Sequence, residues 1–266
     1  MFIMSIIFDN VTYIYNKGTP MEKTAIKGVS LSISDGEFVV LSGKAGSGKS
    51  TLLQLMGGIL RPTSGSITIS SGARIEARGG VGVVFQFPER QFFENTVYAD
   101  LSFPLRRAGV SEEEIESRLV SALRAVDMDF DTYRDRSPME LSSGEKRRAA
   151  IASVLVLDPQ VIAMDEPLAG LDQKGKREII QELKRLQKEA EKTVVMSTQE
   201  LEAVSGVCDR GFFLEEGSLA VTEYSSLLPI PTLVNLLKKR GLDLGEGVMD
   251  AEEAFLRIRS MGKKAG

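Results

Sequence analysis

Apolar and polar residues alternate along much of the first third of the chain, which is the pattern of half-buried β-strands. Val29, Leu31 and Ile33 fall on one face of such a strand, and Ser30 and Ser32 fall on the other. Further strands are predicted at the start of the chain, at 38–41, at the end of the segment 62–69, and at 81–85. This part of the chain is therefore predicted to be mainly β-structure.

Elsewhere the apolar spacing is that of helices, which are predicted at 49–59, across much of 87–143 and at 173–190. Ser111 and Glu114 have the spacing of a capping box, and Ile115 and Leu119 follow on one helical face. Short apolar strands are predicted again at 161–164 and 193–196. Because helices alternate with these strands, we expect an α/β protein with a parallel sheet covered on both faces.

The composition narrows the possible functions of this 266-residue chain. A net charge of −4 argues against nucleic acid as the main partner, which usually requires a basic face. Histidine is absent from the sequence, so Ser-His triads, imidazole bases and histidine-bound zinc are excluded. The one cysteine, Cys208, rules out an internal disulfide and is expected to be a buried apolar residue.

No stretch of the sequence has the length and apolar character of a transmembrane helix. The longest apolar run, 149–164, is interrupted by Asp158 and Pro159 and is shorter than the roughly 20 residues needed. The first residues carry no basic region, so they are predicted to form a strand and not a signal peptide.

The segment GKAGSGKST at 43–51 fits the phosphate-binding pattern G-x-x-x-x-G-K-[ST] between a predicted strand and a predicted helix. Glycines in this loop permit close approach, so backbone N–H groups can surround phosphate oxygens. Lys49 is expected to reach the β- and γ-phosphates, and the Ser50 hydroxyl is expected to bind Mg²⁺. The candidate nucleotide-binding residues of the loop are Gly43, Lys44, Ala45, Gly46, Ser47, Gly48, Lys49, Ser50 and Thr51.

The segment VIAMDEP at 161–167 places two acidic residues at the carboxyl end of a predicted buried strand. Ligands of α/β proteins bind at this edge of the sheet. Asp165 would hold Mg²⁺ through water, and Glu166 would polarise the attacking water. The alternative is a solvated acidic pair, and the phosphate-binding loop in the same chain makes that the minor interpretation.

The segment LSSGEKRRAAIASVLVLDP at 141–159 resembles the signature of ABC-type ATPases, whose loop is usually Leu-Ser-Gly-Gly-Gln. The resemblance covers roughly residues 5–223. It implies an α/β P-loop core with an antiparallel β subdomain at 1–86 and 146–225, and a helical subdomain at 87–145 that carries the signature loop. A small helical extension would follow at 226–266, where it would contribute to dimer contacts or form a packed cap.

The same resemblance assigns roles residue by residue. Tyr15 would stack on adenine, with Tyr13 as the rival candidate, and Gln86 would contact Mg²⁺ and sense a transmembrane partner. Residues 169–172 resemble the D-loop, and Gln199 stands where the family normally has a histidine that positions the attacking water. In a head-to-tail pair, the signature loop would complete the partner's ATP site. Its candidate residues are Ser142, Ser143 and Gly144.

Within this family, FQFPERQFF, GEKRRAAIASV and the proline-led tail are similar to the ATP-binding components of energy-coupling factor (ECF) transporters. Those transporters take up vitamins and cobalt or nickel ions. The resemblance implies a second ATPase chain, more often different than identical, together with a transmembrane T protein and a substrate-binding S protein. It also implies a position on the cytoplasmic face of the membrane.

Five aromatic residues would partly line the groove where the T protein docks. Alternatively they belong to the core of the helical subdomain, and we expect about half of them to do so. These residues are Phe85, Phe87, Phe92, Phe93 and Tyr98.

The sequence departs from the family pattern at three positions. A neutral amide at Gln199 can donate a hydrogen bond but cannot share a positive charge, so the chain's own site is expected to be slow. Ser143 replaces a glycine, and Glu145 replaces a glutamine where the partner's ATP would lie; the sign of the Glu145 effect stays open. Neutral drift among tolerated residues is the alternative for all three.

The leading interpretation is therefore an ATPase that powers an ECF-type importer as one half of an asymmetric pair. An ATP-binding regulatory subunit with little turnover is the second interpretation, opposed by Glu166 and favoured by Gln199. A soluble ABC ATPase of translation or DNA repair is the third. A single cassette, the short spacing between 51 and 142, and the acidic charge disfavour it.

Overall fold

The computed structural model describes residues 5–70, 80–86, 92–204 and 207–224. The predicted C-terminal extension and Phe87 lie outside these residues. The strands are β1 (Ser5–Tyr15), β2 (Lys23–Ser34), β3 (Phe38–Ser42), β4 (Ser64–Ser70), β5 (Val81–Val84), β6 (Val161–Met164), β7 (Thr193–Thr198), β8 (Arg210–Glu215) and β9 (Ser218–Tyr224). The α-helices are α1 (Lys49–Met56), α2 (Val97–Arg107), α3 (Glu112–Ala125), α4 (Phe130–Tyr133), α5 (Ser143–Leu155), α6 (Gln173–Glu189) and α7 (Leu201–Val204).

The main sheet has the strand order β5-β6-β7-β3-β8-β9. Its first five strands are parallel, and β9 pairs antiparallel with β8. Every residue of β3, β6 and β7 is buried, as expected for central parallel strands covered on both faces. The predicted α/β fold class is thereby confirmed.

A second sheet has the order β2-β1-β4 and is antiparallel throughout. Its inner face, which includes Phe8 and Ile26, packs with α1 and with one face of the main sheet. Helices α2, α3, α5 and α6 cover the opposite face of the main sheet, where Leu101, Leu119 and Ile151 are buried together. The parallel sheet therefore lies between two apolar cores, so a functional site is expected at the ends of its strands.

Helix ends differ from the sequence prediction where local chemistry stops the helix early. The helix predicted at 49–59 ends at Met56, and Gly57 and Gly58 follow it. Gly58 adopts φ 67°, a left-handed conformation that interrupts helical hydrogen bonding. Within the described residues, no helix is both long enough and apolar enough to cross a membrane.

Candidate nucleotide-binding site

Three neighbouring strands of the main sheet end at one edge, and each leads into residues of the predicted site. The strands β6, β7 and β3 lie side by side and run parallel. The glycine-rich loop follows β3, the acidic pair Asp165 and Glu166 follows β6, and Gln199 follows β7. Parallel strands bring their carboxyl ends to the same edge, so residues distant in the sequence meet there.

The glycine-rich loop adopts conformations that favour glycine. The φ angle is 145° at Gly43, 77° at Gly46 and 108° at Gly48. A Cβ atom on Gly43 would lie 2.2 Å from the carbonyl oxygen of Leu214 in β8. Gly43 is therefore required for space as well as for backbone conformation, whereas a Cβ on Gly46 would have no neighbour within 4 Å among the described residues.

Two polar side chains of the loop fit a phosphate group. The Lys49 ammonium is buried and donates to the carbonyl oxygens of Gly43, over 2.7 Å, and Lys44, over 3.2 Å. The Ser47 hydroxyl is also buried and has no hydrogen-bond partner within the described ranges. A buried hydroxyl without a partner is a group that ligand oxygens can satisfy. Lys44, Ala45 and Gly46, at the tip of the loop, are exposed.

The first turn of α1 connects the loop to the aromatic residues of β1. Ser50 is exposed there, and the buried Thr51 hydroxyl lies 3.1 Å from the Tyr15 hydroxyl. The Tyr13 and Tyr15 rings pack edge to face with centroids 4.8 Å apart. Tyr13 also packs against the core between the two sheets. The hydroxyl contact thus links Tyr15 directly to the first turn of α1.

A buried serine holds the acidic pair in place. The Ser197 hydroxyl donates to Asp165 Oδ1 over 2.6 Å and accepts the backbone N–H of Glu166 over 2.8 Å. Glu166 has φ 47°, an uncommon conformation for a residue with a side chain. The role of Ser197 could not be read from the sequence, because both of its partners follow a different strand, β6. The only sequence signal is a polar residue at the end of an apolar strand.

The Glu166 carboxylate lies between two parts of the site. One carboxylate oxygen, Oε1, is 3.6 Å from the Lys49 ammonium and 3.3 Å from the Gln199 side-chain nitrogen, which donates to it. The other oxygen, Oε2, accepts the backbone N–H of Gln199 over 3.3 Å. Glu166 is only 9% exposed. The structure thus places Lys49 and Gln199 each in contact with Glu166.

Gln86 lies next to this group at the edge of the sheet. It follows β5, whose Val84 pairs with Met164 and accepts the backbone N–H of Asp165 over 2.9 Å. Gln86 is partly exposed. It therefore sits beside the strand end that carries Asp165, at the boundary of the described residues.

The signature loop is organised by its own helix. Ser142 caps α5, and its hydroxyl accepts the N–H of Glu145 while the Glu145 carboxylate accepts the N–H of Ser142 over 2.7 Å. Tyr133 also donates to Glu145, over 2.8 Å. These bonds, first from Ser142 and then from Tyr133, lower the pKa of Glu145 to about 2. The capping box predicted at Ser111 is half formed: the Ser111 hydroxyl accepts the N–H of Glu114 over 3.4 Å, but the Glu114 carboxylate pairs with Arg118.

Ser142 and Ser143 are exposed, and Gly144 is partly exposed. Within the described residues, none of the hydrogen bonds of this loop reaches the chain's own glycine-rich loop. The structure therefore does not bring Ser142, Ser143 and Gly144 to the group formed by Lys49 and Glu166. These three residues face solvent on the surface of the chain.

The predicted aromatic residues divide between surface and core. Phe93 is 63% exposed and Phe85 is 39% exposed. Phe92 is buried, and Tyr98 packs against the core between the main sheet and the helices that cover it, here called the helical core. Sequence analysis missed Phe103, which is 40% exposed and meets Phe93 edge to face with centroids 4.9 Å apart. Cys208 is buried in the helical core.

The sequence is similar to known ATP-binding proteins of transporters. Residues 26–169 match the family model described as ABC transporter. The chain is 40% identical to the energy-coupling factor transporter ATP-binding protein EcfA2 of Clostridium acetobutylicum, an alignment that covers 98% of this chain and all of that protein.

Solved structures of similar proteins share the fold. The structure of cbiO1 from Clostridium perfringens, described as part of the ABC transporter complex cbiONQ, is 33% identical with a TM-score of 0.75, covering 88% of this chain and 94% of that one. The ATP-binding cassette MJ0796, solved as a dimer in a post-hydrolysis state with ADP and phosphate, is 30% identical with a TM-score of 0.72. That match covers 85% of this chain and all of the other.

Proposed function

Because the chain belongs to the ABC transporter family, and within it to the ATP-binding proteins of energy-coupling factor transporters, we propose that it powers an importer as one half of an asymmetric ATPase pair. The chain is an ATPase whose hydrolysis of ATP is coupled to transport. The observation that carries the proposal is the contact of Glu166 with both Lys49 and Gln199 at one sheet edge.

The site fits ATP with Mg²⁺. The unpartnered Ser47 hydroxyl and the crowding around Gly43 favour a loop built for phosphate oxygens. Ser50 and Asp165 supply the oxygen atoms that Mg²⁺ prefers, and Gln86 is the third candidate. The bound ion would neutralise charge on the β- and γ-phosphates.

Four residues of the chain would act in ATP binding and hydrolysis. Lys49 would exchange its carbonyl partners for phosphate oxygens, and this would release it from Glu166. Glu166 would then accept a hydrogen bond from the attacking water and draw its proton. Gln199 would hold Glu166 and donate to the γ-phosphate as a neutral group. Tyr15 would stack on the adenine.

The asymmetry is proposed because the departures from the family pattern affect two different ATP sites of the pair. Gln199 would slow the chain's own site, because a neutral amide replaces a group that can carry charge. The signature residues Ser142, Ser143 and Gly144 would complete the partner's site. Glu145 is occupied by the N-terminus of its own helix and by Tyr133, so it would act there as a structural cap. Because Gln199 belongs to the chain's own site alone, most of the hydrolysis would take place in the partner's site.

We propose a second, different ATPase chain as that partner, with a transmembrane T protein and a substrate-binding S protein completing the importer at the cytoplasmic face of the membrane. Vitamins or cobalt and nickel ions would be the cargo. The exposed aromatic pair Phe93 and Phe103, together with Phe85, supports a docking surface for the T protein. The net charge of −4 gives no support to a nucleic-acid partner.

The domain limits proposed are those of the family: a core at 1–86 and 146–225, a helical subdomain at 87–145 and an extension at 226–266. The separate antiparallel sheet β2-β1-β4 supports a β subdomain, and the buried packing of α2 with α3 supports a helical subdomain. The second candidate function, a regulatory ATP-binding subunit with very low turnover, is favoured by the neutral Gln199 beside Glu166.

Steady-state ATPase activity of the purified chain, measured at rising protein concentration with saturating Mg-ATP, tests the proposal. Glu166→Gln provides the blank. We expect ATP binding with a rate close to the blank for the chain alone, and a clear rate when a second ATPase chain co-purified through a tag is present. A rate per chain that climbs with concentration would contradict the need for a different partner. A blank-level rate in the complete complex would favour the regulatory function.

A further inference from the structure

Arg147 connects the signature helix to the loop that follows the catalytic glutamate. It lies in α5 shortly after the signature loop and is only 8% exposed. One guanidinium nitrogen, Nη1, donates to the carbonyl oxygens of Pro167 and Ala169; the bond to Ala169 is 2.9 Å long. Both carbonyl oxygens belong to the segment that leaves Glu166.

This contact reaches the catalytic residue through a short piece of backbone. The N–H of Ala169 donates to the carbonyl oxygen of Glu166 over 3.1 Å, which closes a tight turn. Glu166 itself has the uncommon φ of 47°. A movement of the carbonyl oxygens held by Arg147 would therefore shift the backbone of Glu166. The same segment leads to Asp172, which caps α6 by accepting the N–H of Gly175 over 2.8 Å.

At the same end of α5 as Arg147, the signature loop is held as a fixed unit. The capping box of Ser142 and Glu145 and the bond from Tyr133 hold the first turn of the helix. Ser142 and Arg147 lie within the first turns of one helix, so a displacement of the loop after Glu166 would be passed through Arg147 to Ser142. Burying a guanidinium is unfavourable unless its donors are satisfied, and here Nη1 donates to two backbone carbonyl oxygens of the loop after Glu166.

We propose that Arg147 is a positioning residue that couples the chain's own ATP site to the signature loop, and thereby to the partner's ATP site. The inference rests on the paired arrangement proposed above. ATP at the chain's own P-loop changes the position of Glu166. The loop after Glu166 passes this change through Arg147 to α5, and the signature loop then fits the partner's nucleotide differently.

The test measures hydrolysis in the partner's site with the chain's own site in two states. In the complex with the second ATPase chain, Glu166→Gln leaves the own site able to bind ATP without hydrolysing it, and Lys49→Ala leaves it empty. The ratio of the two turnover rates measures the coupling. We expect a ratio that differs from one by about 5-fold or more with Arg147 in place, since couplings between sites typically start at that size.

Arg147→Met is expected to bring this ratio close to one, and Arg147→Lys, which keeps one donor nitrogen, is expected to restore part of it. Lys146→Met is the matched control, because it removes a cation from the neighbouring position of α5. Thermal unfolding without nucleotide shows whether each variant folds. If Arg147→Met fails to fold, Arg147→Gln, which keeps a neutral donor, takes its place in the same comparison.

An unchanged ratio in a folded Arg147 variant, with both rates reduced equally, would overturn the inference and leave a purely structural role. A ratio of one in the unsubstituted complex would overturn it as well, while the proposed ATPase function would stand. A complex without any hydrolysis would instead contradict the proposed function, and the coupling with it.

Discussion

The side-chain amide of Gln199 donates to Glu166 Oε1 over 3.3 Å, while the Gln199 backbone N–H lies 3.3 Å from the other carboxylate oxygen. Both contacts join a residue at the end of β7 to a residue at the end of β6. Gln199 thus gives the Glu166 carboxylate two neutral hydrogen-bond donors, while the Lys49 ammonium lies 3.6 Å from Oε1. The two bonds from Gln199 fix the orientation of the carboxylate without adding a cation beside it.

Replacing Gln199 by histidine tests how much the neutral amide limits the chain's own site. We expect Gln199→His to raise turnover there by roughly 10-fold or more, because loss of a positioned donor in such a site typically costs about 10²–10³ in rate. Gln199→Ala is expected to lower it further. The measurement uses the complex with the partner's nucleotide site inactivated, and Glu166→Gln as the blank. An unchanged rate in Gln199→His would mean that the asymmetry does not originate at position 199.

Removing the Ser197 hydroxyl is expected to disturb both acidic residues. In Ser197→Ala the buried N–H of Glu166 loses its acceptor, which typically costs about 1–3 kcal/mol of stability. Asp165 loses its orienting donor, so half-maximal ATPase activity should require several-fold more Mg²⁺. Ser197→Thr, which keeps the hydroxyl, should retain the Mg²⁺ dependence of the parent.

Thr198→Val is the matched control for this serine, because the Thr198 hydroxyl accepts the N–H of Glu200 and touches neither acidic residue. Thermal unfolding without Mg²⁺ and Mg²⁺ titration of the ATPase rate are measured for each variant. Equal Mg²⁺ requirements for Ser197→Ala and Thr198→Val would contradict a positioning role for Ser197.

The parts of the site that could be predicted from sequence are those coded by contiguous residues. The loop at 43–51 and the pair Asp165 and Glu166 each carry their chemistry within a few positions, and the strand pattern places them at one sheet edge. The α/β class followed from the same pattern, because strands buried on both faces read as apolar runs.

The contacts between distant residues could not be predicted in this way. Ser197 is 31 positions from Glu166, and Arg147 is 22 positions from Ala169. Neither separation along the sequence follows a helical or strand period from which the partner could be identified. The effect of Glu145 could not be predicted for the same reason. The orientation of its carboxylate depends on a hydrogen bond from Tyr133, which lies in α4.

Gly43 is crowded and Gly46 is not, so alanine substitutions at these two positions are expected to differ strongly in their effect on stability. In Gly43→Ala the new Cβ would collide with the backbone of Leu214, and the φ of 145° is unfavourable for alanine. We expect a loss of more than about 3 kcal/mol, or no folded protein, as for other severe backbone conflicts. Gly46→Ala, which meets no steric conflict within the described residues, should cost only about 1 kcal/mol for its φ of 77°.

Urea unfolding without nucleotide distinguishes these two variants from effects on ATP binding. The midpoints of Gly43→Ala and Gly46→Ala are compared with that of the parent at the same protein concentration. Similar midpoints for the two variants would show that β8 moves aside at little cost in free energy. The requirement for glycine at position 43 would then come from the backbone conformation of the loop and not from the contact with Leu214.

A buried carboxylate in α6 predicts how stability changes with pH. Glu182 is 7% exposed, and burial raises its pKa to about 7 although Arg148 and Arg185 oppose the shift. Asp127 and Glu178 also face it and raise the pKa further. One oxygen lies 4.0 Å from Arg148, and the other has no hydrogen-bond partner within the described residues. The folded protein therefore favours the protonated acid.

The sign of the effect follows from this raised pKa. Between the unfolded value of 4.5 and about 7, the unfolded chain releases a proton that the folded chain retains. Stability contributed by the neutral acid is thus present at low pH and lost as pH rises through this window. Glutamine at position 182 cannot ionise. The unfolding midpoint of Glu182→Gln minus that of the parent should therefore increase between pH 5 and pH 8. A change of at least about 1 kcal/mol is expected, since one pKa unit is worth about that much.

Thermal unfolding of the nucleotide-free chain at several pH values measures this difference, and about 1 kcal/mol corresponds to roughly 2–4 °C in a chain of this size. Glu189→Gln, which removes a carboxylate at an exposed position of the same helix, is the matched control. A Glu182→Gln variant that lost stability relative to the parent as pH rose would mean that the ionised carboxylate is favoured. The pair with Arg148 would then outweigh the penalty of burial.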